Sequence, residues 1–310
     1  MSEKDSVSVI GNSKIDLTKE TTDCRPVHEI IYHDNIAFHT YTIKHPHHVA
    51  HRGKFIIVHG WAENSVMYIS QLEFLSRLGY DYHIYDQRGS GRTSPGKYRG
   101  RTGKNSEVAI KDLDFMIKHF TNLAGEVNLI GHSLGGSIAL RYMETGKYRE
   151  RINSIIVTSP LIHVSNMKNP SWLVMKFVSF LIMLFPRLKH IESQDPEVIA
   201  KVTSNPKWQR YLLQEESCQP IGTVKQMIQM IERGKKLLIT SRQVQSDSKL
   251  LVLQSDDDII VDSQASYEYY QRVNLTNKRF VAIPNSGHAI FLENDEILNK
   301  VTKIIQEFLN

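Results

Sequence analysis

The amino-acid sequence predicts an α/β fold in which helices cover both faces of a mostly parallel β-sheet. The first indication is that short, continuous apolar runs recur along the chain, each typical of a strand buried on both faces. These runs are Phe55–Val58, Val127–Ile130, Ile155–Val157, Leu250–Leu253 and Phe280–Ile283. The second is that longer helical patterns lie between the runs. Strands that alternate with helices favour a sheet with covered faces.

Two helices are predicted from apolar side chains that recur every three or four residues. One stripe lies ahead of the Val127–Ile130 run and consists of Ile110, Leu113, Ile117 and Phe120. The other lies near the end of the sequence and consists of Ile297, Val301, Ile304, Ile305 and Phe308. Each stripe indicates a helix that packs one face against the sheet.

The alternation of strands and helices stops between residues 161 and 245. This stretch contains an almost wholly apolar segment, Trp172–Phe185, and a Met-rich helical pattern that places on one face Val224, Met227, Ile228 and Ile231. We therefore predict that residues 161–245 form a helical cap inserted into an α/β core of residues 25–160 and 246–310. Residues 1–24 are predicted to be a polar tail.

Composition and charge exclude several classes of protein. Of the 310 residues, 41% are hydrophobic and 23% are charged, as in ordinary globular proteins and unlike disordered or fibrous chains. A net charge of +5 over this length is too dilute to predict a nucleic-acid partner. The two cysteines, Cys24 and Cys218, cannot form a disulfide framework, and neither lies in a metal-binding motif. Their scarcity favours a reducing compartment, and we predict a cytoplasmic protein.

No membrane-spanning segment is predicted. The start of the sequence is polar and lacks the apolar region of a signal peptide. The segment Trp172–Phe185 would extend about 21 Å as a helix, whereas a bilayer core of about 30 Å needs about 20 residues. The protein is therefore predicted to be soluble, or at most to lie peripherally on the inner face of a membrane.

The clearest functional motif is Gly131-His132-Ser133-Leu134-Gly135. It follows an apolar run and precedes a helical stretch, which is the context of a nucleophile elbow: a strand, a strained turn that presents serine, and a helix. The flanking glycines suit a turn that brings backbone segments into close contact. Ser133 is therefore predicted to be a catalytic nucleophile. The alternative is a glycine-rich loop without chemistry.

A nucleophilic serine needs an acid and a histidine, which in this kind of fold follow it in that order. Three aspartates, Asp256–Asp258, come directly after the Leu250–Leu253 run, and His288 comes after Phe280–Ile283. Both lie beyond the carboxyl ends of predicted strands, where open α/β sheets place their active sites. His288 is predicted to take the serine proton while one aspartate orients its ring. The alternatives are an acidic turn and a surface histidine.

An oxyanion hole needs two backbone N–H groups. One comes from the residue after the nucleophile, here Leu134, and the other from the loop after an early strand. The run Phe55–Val58 leads directly into His59-Gly60-Trp61, so the N–H of Trp61 is the second predicted donor. No substrate-binding residue is predicted. No metal or cofactor is predicted either, since serine-based acyl transfer requires none.

A histidine-rich stretch precedes the first buried run. Metal ligands occur at such spacings, but Pro46 and the lack of acidic residues nearby in the sequence favour a surface turn. The histidines are His45, His47, His48 and His51.

A basic loop runs from Arg88 to Lys104 and carries six basic residues and no acidic one. It is interpreted as a solvated loop, with contact to phosphate head groups as the alternative. At its start, Asp86 and Arg88 are predicted to be structural anchors.

Four stretches together resemble the α/β-hydrolase superfamily: His59–Trp61, Asp86–Arg92, Gly131–Gly135, and the pair Asp258 and His288. Within that superfamily the sequence is most similar to the bacterial lysophospholipase and monoacylglycerol lipase group, and the similarity runs from about residue 32 to residue 309. The resemblance implies an eight-stranded, mostly parallel sheet with a helical cap inserted after the sixth strand. It also selects Asp258, ahead of Val261, as the acid.

The resemblance implies a serine hydrolase that cleaves carboxylic esters of single-acyl lipids, a lysophospholipid or a monoacylglycerol, through an acyl-enzyme. The alternatives are a general carboxylesterase, a thioesterase, an aminopeptidase, or a binder without catalysis. Epoxide hydrolases and dehalogenases are disfavoured, because those members carry an aspartate where this chain has Ser133. The sequence leaves the acyl-chain length, the head group and the oligomeric state open.

Overall fold

The computed structural model describes residues 24–165, 172–185, 187–192 and 194–310. Its strands are β1 (Val27–His33), β2 (Ile36–Ile43), β3 (Gly53–Val58), β4 (Tyr80–Tyr85), β5 (Val127–His132), β6 (Ile152–Thr158), β7 (Lys189–Ile191), β8 (Ile221–Thr223), β9 (Lys249–Ser255) and β10 (Lys278–Ile283). Its helices are α1 (Val66–Ile69), α2 (Glu73–Arg77), α3 (Val108–Thr121), α4 (Leu134–Thr145), α5 (Trp172–Leu184), α6 (Pro196–Val202), α7 (Pro206–Gln214), α8 (Val224–Thr240), α9 (Ser263–Arg272) and α10 (Asp295–Leu309).

Eight strands form one sheet in the order β1-β2-β4-β3-β5-β6-β9-β10. The strands β1, β2 and β4 pair in antiparallel fashion, and every pairing from β4 across to β10 is parallel. This confirms the predicted eight-stranded, mostly parallel sheet. Because the parallel strands run the same way, their carboxyl ends meet at one edge, where ligands bind in open α/β sheets.

Helices cover both faces of the sheet, as predicted. On one face α3, α4 and α9 contribute to a buried cluster with β5 and β6. On the other face α1, α2 and α10 contribute to a second cluster. The two predicted apolar stripes lie on α3 and α10, and all their members are buried except the half-buried Phe308.

The five predicted strands all lie within observed strands, but the predicted burial of Phe280–Ile283 on both faces is wrong. In β10 only Ile283 is buried, Phe280 and Val281 are half-buried, and Ala282 is exposed. The reason is that β10 pairs with β9 alone and forms an edge of the sheet. The apolar run therefore predicts the strand correctly, but it does not indicate that the strand lies in the centre of the sheet.

The apolar face that the sequence pattern places on α8 is not the face that the helix buries. The buried residues of α8 are Gln226, Gln229, Met230, Arg233, Gly234 and Leu237, whereas Val224, Met227, Ile228 and Ile231 are half-buried. The buried polar side chains bond to loops of the core: Gln229 Oε1 accepts from the Thr102 hydroxyl at 2.6 Å, and the Trp61 indole N–H donates to Gln226 Oε1 at 3.3 Å. Polar contacts thus override the apolar pattern in orienting this helix.

Between β6 and β9 lie α5, the antiparallel pair β7 and β8, and α6 to α8. The boundaries of the predicted cap at residues 161 and 245 remain a prediction, and most of the predicted polar tail lies outside the described residues. Among the helices that the structure describes, none combines the length and the apolar character needed to cross a bilayer.

The basic loop is anchored to the protein at Arg88 and Arg99, whereas Lys97 and Lys104 are exposed. Arg88 binds Asp112 with its Nη2 2.8 Å from Oδ1, and the Arg99 guanidinium donates to the Glu216 carbonyl. Asp86 accepts from the backbone N–H groups of Ser65 at 2.7 Å and Arg92 at 2.8 Å. Asp86 and Arg88 therefore anchor the loop, as predicted.

Candidate active site

Ser133 occupies the turn between β5 and α4 with φ of 50° and ψ of −114°. A positive φ is unfavourable for any residue with a Cβ, and such strain concentrates at functional sites. Two backbone hydrogen bonds hold the turn: Ser133 N–H donates to the Thr158 carbonyl at 2.9 Å, and the Ser133 carbonyl accepts from Leu161 at 2.8 Å. At Gly135 a Cβ would overlap the Val58 carbonyl, so glycine lets α4 approach β3.

Asp258 and His288 lie side by side beyond the carboxyl ends of β9 and β10. His288 Nδ1 is 2.8 Å from Asp258 Oδ2, and the Asp258 side chain is completely buried. The other oxygen, Oδ1, accepts from the backbone N–H groups of Ile260 at 2.9 Å and Val261 at 3.0 Å. Burial alone would raise the pKa of Asp258, but His288 and these two N–H groups bring it below its ordinary value.

The neighbouring aspartates have a different environment. Asp256 and Asp257 are exposed, so neither is placed to orient a buried histidine ring. Of the three candidates the structure brings only Asp258 to His288.

Ser133 and His288 line one cavity of about 290 Å³, referred to below as the Ser133 cavity. Trp61, the predicted oxyanion donor from the loop after β3, lines the same cavity, and Leu134 follows Ser133 directly. The rest of the wall is mainly apolar and comes largely from the predicted cap: Leu161, Val164, Val198, Ile199, Val202, Leu212, Met227 and Met230. A mainly apolar cavity with a few convergent polar groups is the usual form of a small-molecule site.

A buried polar network supports the loop that carries Trp61. The Glu63 carboxyl group accepts from the Gly60 backbone N–H and from the Tyr68 hydroxyl. Its other oxygen lies 3.5 Å from Nε2 of His132, the residue before Ser133. Glu63 was not predicted from the sequence. The available signal was an acidic residue two positions after the predicted donor, in a stretch otherwise without charged side chains.

His132 is wholly buried, and burial lowers its pKa to about 4. Its Nδ1 lies 2.9 Å from the Thr158 hydroxyl oxygen. The ring centroid is 4.8 Å from that of His288. His132 is therefore a neutral imidazole that links the Glu63 network to the Ser133 turn.

Replacing Glu63 by alanine should lower kcat for ester hydrolysis about tenfold to a hundredfold with little change in KM. The Gly60 N–H and the Tyr68 hydroxyl both donate to one oxygen of the Glu63 carboxyl group, so alanine leaves both donors without their acceptor and the loop shifts. Removing an oxyanion donor costs about a hundredfold or more, and displacing one should cost less. Glu73→Ala on α2 is the matched control, because the Glu73 carboxylate pairs with Arg77 near the surface. An unchanged kcat, or a change confined to KM, would contradict a positioning role.

Comparison with known proteins identifies a family and several relatives. A family model described as serine aminopeptidase, S33, matches residues 49–295. The chain is 28% identical over 273 residues to the monoglyceride lipase of Saccharomyces cerevisiae, covering 84% of this chain and 85% of that protein. It is 26% identical over 263 residues to a putative monoglyceride lipase of Schizosaccharomyces pombe, covering 82% of this chain and 67% of that protein.

Comparison with one solved structure supports the α/β-hydrolase fold. A soluble variant of the S. cerevisiae monoglyceride lipase, crystallised with a substrate analog, superposes with a TM-score of 0.81 at 24% identity. The match covers 94% of this chain and 96% of that one. It confirms the predicted fold class.

Proposed function

Because this chain belongs to the serine aminopeptidase S33 family of α/β-hydrolases, we propose that it hydrolyses the carboxylic ester of a single-acyl lipid, with monoacylglycerol as the preferred substrate. The observation that carries the proposal is the Ser133 cavity, in which a serine and a histidine face mainly apolar walls. The relatives named as monoglyceride lipases support the same substrate class.

In the proposed mechanism His288 takes the proton of the Ser133 hydroxyl as its oxygen attacks the ester carbonyl. The N–H groups of Trp61 and Leu134 stabilise the negative charge that forms on the carbonyl oxygen. The protonated His288 then gives the proton to the leaving alcohol, and an acyl-enzyme remains. A water molecule, deprotonated by the same ring, cleaves the acyl-enzyme and releases the fatty acid.

The walls of the Ser133 cavity favour an acyl chain with an uncharged head group. Burial of each methylene of the chain contributes about 0.8 kcal/mol, and the predicted cap supplies apolar side chains for it. Two carboxylates, Glu192 and Asp195, also line the cavity. Carboxylates repel an anionic phosphate and can accept hydrogen bonds from glycerol hydroxyls. This charge pattern supports monoacylglycerol over lysophospholipid.

Catalytic efficiency should rise with acyl length, from esters of about four carbons to esters of at least ten, since each added methylene inside the cavity is worth about 0.8 kcal/mol. The measurement is kcat/KM for a series of p-nitrophenyl esters, followed by monoacylglycerol and the anionic lysophosphatidylglycerol of equal chain length. Amino-acid p-nitroanilides test the aminopeptidase alternative that the family description raises.

An optimum at two to four carbons without activity on monoacylglycerol would reject the lipid-ester proposal. Faster turnover of lysophosphatidylglycerol than of monoacylglycerol would support hydrolysis of lipid esters but reject the preference for an uncharged head group. Turnover of an amino-acid p-nitroanilide at a rate above that of every ester would select the peptidase.

We further propose that the protein contacts membranes through an exposed apolar surface, here called the α5 surface. It consists of exposed apolar residues on α5 and the segment after it: Phe177, Met183, Leu184, Phe185, Leu188 and Ile191. Two exposed cations, Arg187 and Lys189, lie among them. Contiguous exposed apolar side chains mark interaction surfaces, and basic residues beside them suit an anionic bilayer.

The double substitution Met183→Ser and Phe185→Ser should lower binding to vesicles of phosphatidylcholine and phosphatidylglycerol at least tenfold, since each buried side chain contributes about 1.5–3 kcal/mol. Co-sedimentation measures the binding. Turnover of a water-soluble short ester should not change. Ile239→Ser on α8 is the control, because Ile239 is equally exposed but lies outside the α5 surface. Equal losses in the control and the double variant would contradict the assignment.

A further inference from the structure

Two histidines and an aspartate meet at the edge of the sheet opposite the Ser133 cavity. His45 and His51 lie in the loop between β2 and β3, and Asp81 is the second residue of β4. Since the Ser133 cavity lies at the carboxyl ends of the parallel strands, a residue near the start of β4 lies at the other edge. The cluster is therefore separate from the proposed ester chemistry.

The ligand atoms of this cluster lie close together. His45 Nδ1 is 2.7 Å from Asp81 Oδ1, and His51 Nε2 is 3.8 Å from Asp81 Oδ2. One ligand atom from each residue can be chosen so that all lie within 4.8 Å of one another. In a tetrahedral zinc site with bonds of about 2.0–2.2 Å, neighbouring ligand atoms lie about 3.3 Å apart. His45 Nδ1 and Asp81 Oδ1 would therefore move apart on binding, and His51 Nε2 would move closer to Asp81.

The backbone holds this arrangement in place. His45 N–H donates to Asp81 Oδ1 at 3.0 Å, and Arg52 N–H, next to His51, donates to the Gly79 carbonyl at 2.8 Å. Gly79 has φ of +94°, and a Cβ there would overlap the Ala50 carbonyl. The loop is thus fastened to β4 on both sides of the cluster, so little chain ordering would oppose binding of a ligand.

We propose that His45, His51 and Asp81 bind a divalent transition metal, with Zn²⁺ the best match. Two imidazoles and one carboxylate suit zinc, cobalt and nickel, whereas calcium and magnesium prefer all-oxygen ligand sets. His51 is 44% exposed, which gives the ion a path in and leaves a fourth position for water. The bound ion fastens the loop to β4 and stabilises the folded chain in proportion to its occupancy.

This site was missed in the sequence because its acid is distant along the chain. The histidine-rich stretch has no acidic neighbour in sequence, and Asp81 reaches it only because β2 pairs with β4, with Ile43 opposite Tyr82. The other two histidines of the stretch, His47 and His48, are exposed and do not belong to the cluster. They provide internal controls.

The test uses the tag-free, full-length chain titrated with zinc chloride in a calorimeter. We expect one ion per chain, a higher Tm with zinc, and at least tenfold weaker binding in His51→Ala and in Asp81→Asn, since even groups that only support metal ligands cost about tenfold to a hundredfold in affinity. His47→Ala and His48→Ala should bind like the unaltered chain. Co²⁺ in place of zinc should give the visible absorption of a four-coordinate site, and His51→Ala should lose it. Hydrolysis of a soluble ester should not change in any of these variants.

Equal weakening in His47→Ala and His51→Ala would overturn the proposal, because it would indicate adventitious capture by surface histidines. Absence of zinc binding to the unaltered chain would overturn it as well. Asp81 also accepts the His45 N–H, so Asp81→Asn can destabilise the loop by itself. His51→Ala leaves the His45–Asp81 contact intact, so its zinc affinity tests the ligand role without this disturbance.

Discussion

Replacing Ser133 by alanine is expected to lower kcat for ester hydrolysis by about a million-fold, the cost of removing the nucleophile of a serine hydrolase. The fold should persist, because alanine keeps the Cβ and removes only the hydroxyl. The backbone at φ of 50° is no more strained with alanine than with serine. The measurements are turnover of a soluble p-nitrophenyl ester, labelling by a fluorophosphonate probe, and Tm.

Ser76→Ala is the matched control for this substitution. Ser76 is buried and donates to the Glu73 carbonyl of its own helix at 2.8 Å, so its loss should leave both turnover and probe labelling unchanged. If Ser133→Ala retained a tenth of the activity, or were still labelled, another residue would have to be the nucleophile.

Replacing Asp258 by asparagine should lower kcat by about four orders of magnitude. Oδ1 of Asp258 accepts two backbone N–H groups, so the amide oxygen of asparagine should take that position. The amide NH₂ then faces His288 Nδ1, which must act as an acceptor. The ring is forced into the tautomer with a proton on Nε2, and Nε2 can no longer take the serine proton.

Asp256→Asn and Asp257→Asn provide the controls in the same loop. Both carboxylates are exposed, so each substitution should change kcat far less than Asp258→Asn. A severe loss in Asp257→Asn with normal activity in Asp258→Asn would place the acid one residue earlier and reject the assignment.

The central strands were predictable because burial on both faces leaves a continuous apolar run. In β5 every residue is buried, and in β9 all but the first are. The antiparallel strand β1 escaped prediction for the opposite reason: most of it is exposed, including Val27, Ile30 and Tyr32. Such a strand forms because it pairs with β2, and no local sequence pattern predicts that pairing.

The residues of the candidate site also differ in whether local sequence patterns predict them. Ser133 and His288 stand in short motifs at strand ends, so the sequence alone located them. Choosing Asp258 among three aspartates needed the family resemblance, because local spacing fits all three. Glu63 was missed because its contact with His132 joins two segments that meet only in the folded chain, and because no local pattern marks its bonds to Gly60 and Tyr68.

The two neighbouring imidazoles next to Ser133, whose planes are tilted by 52°, have a consequence for where the proton goes in the proposed reaction. With a pKa of about 4, His132 has too little basicity to compete for a proton at neutral pH, although its ring centroid is only 4.8 Å from that of His288. In the proposed mechanism, a proton that His288 takes from the serine therefore finds no acceptor in His132. It remains available to the departing alcohol on the cavity side.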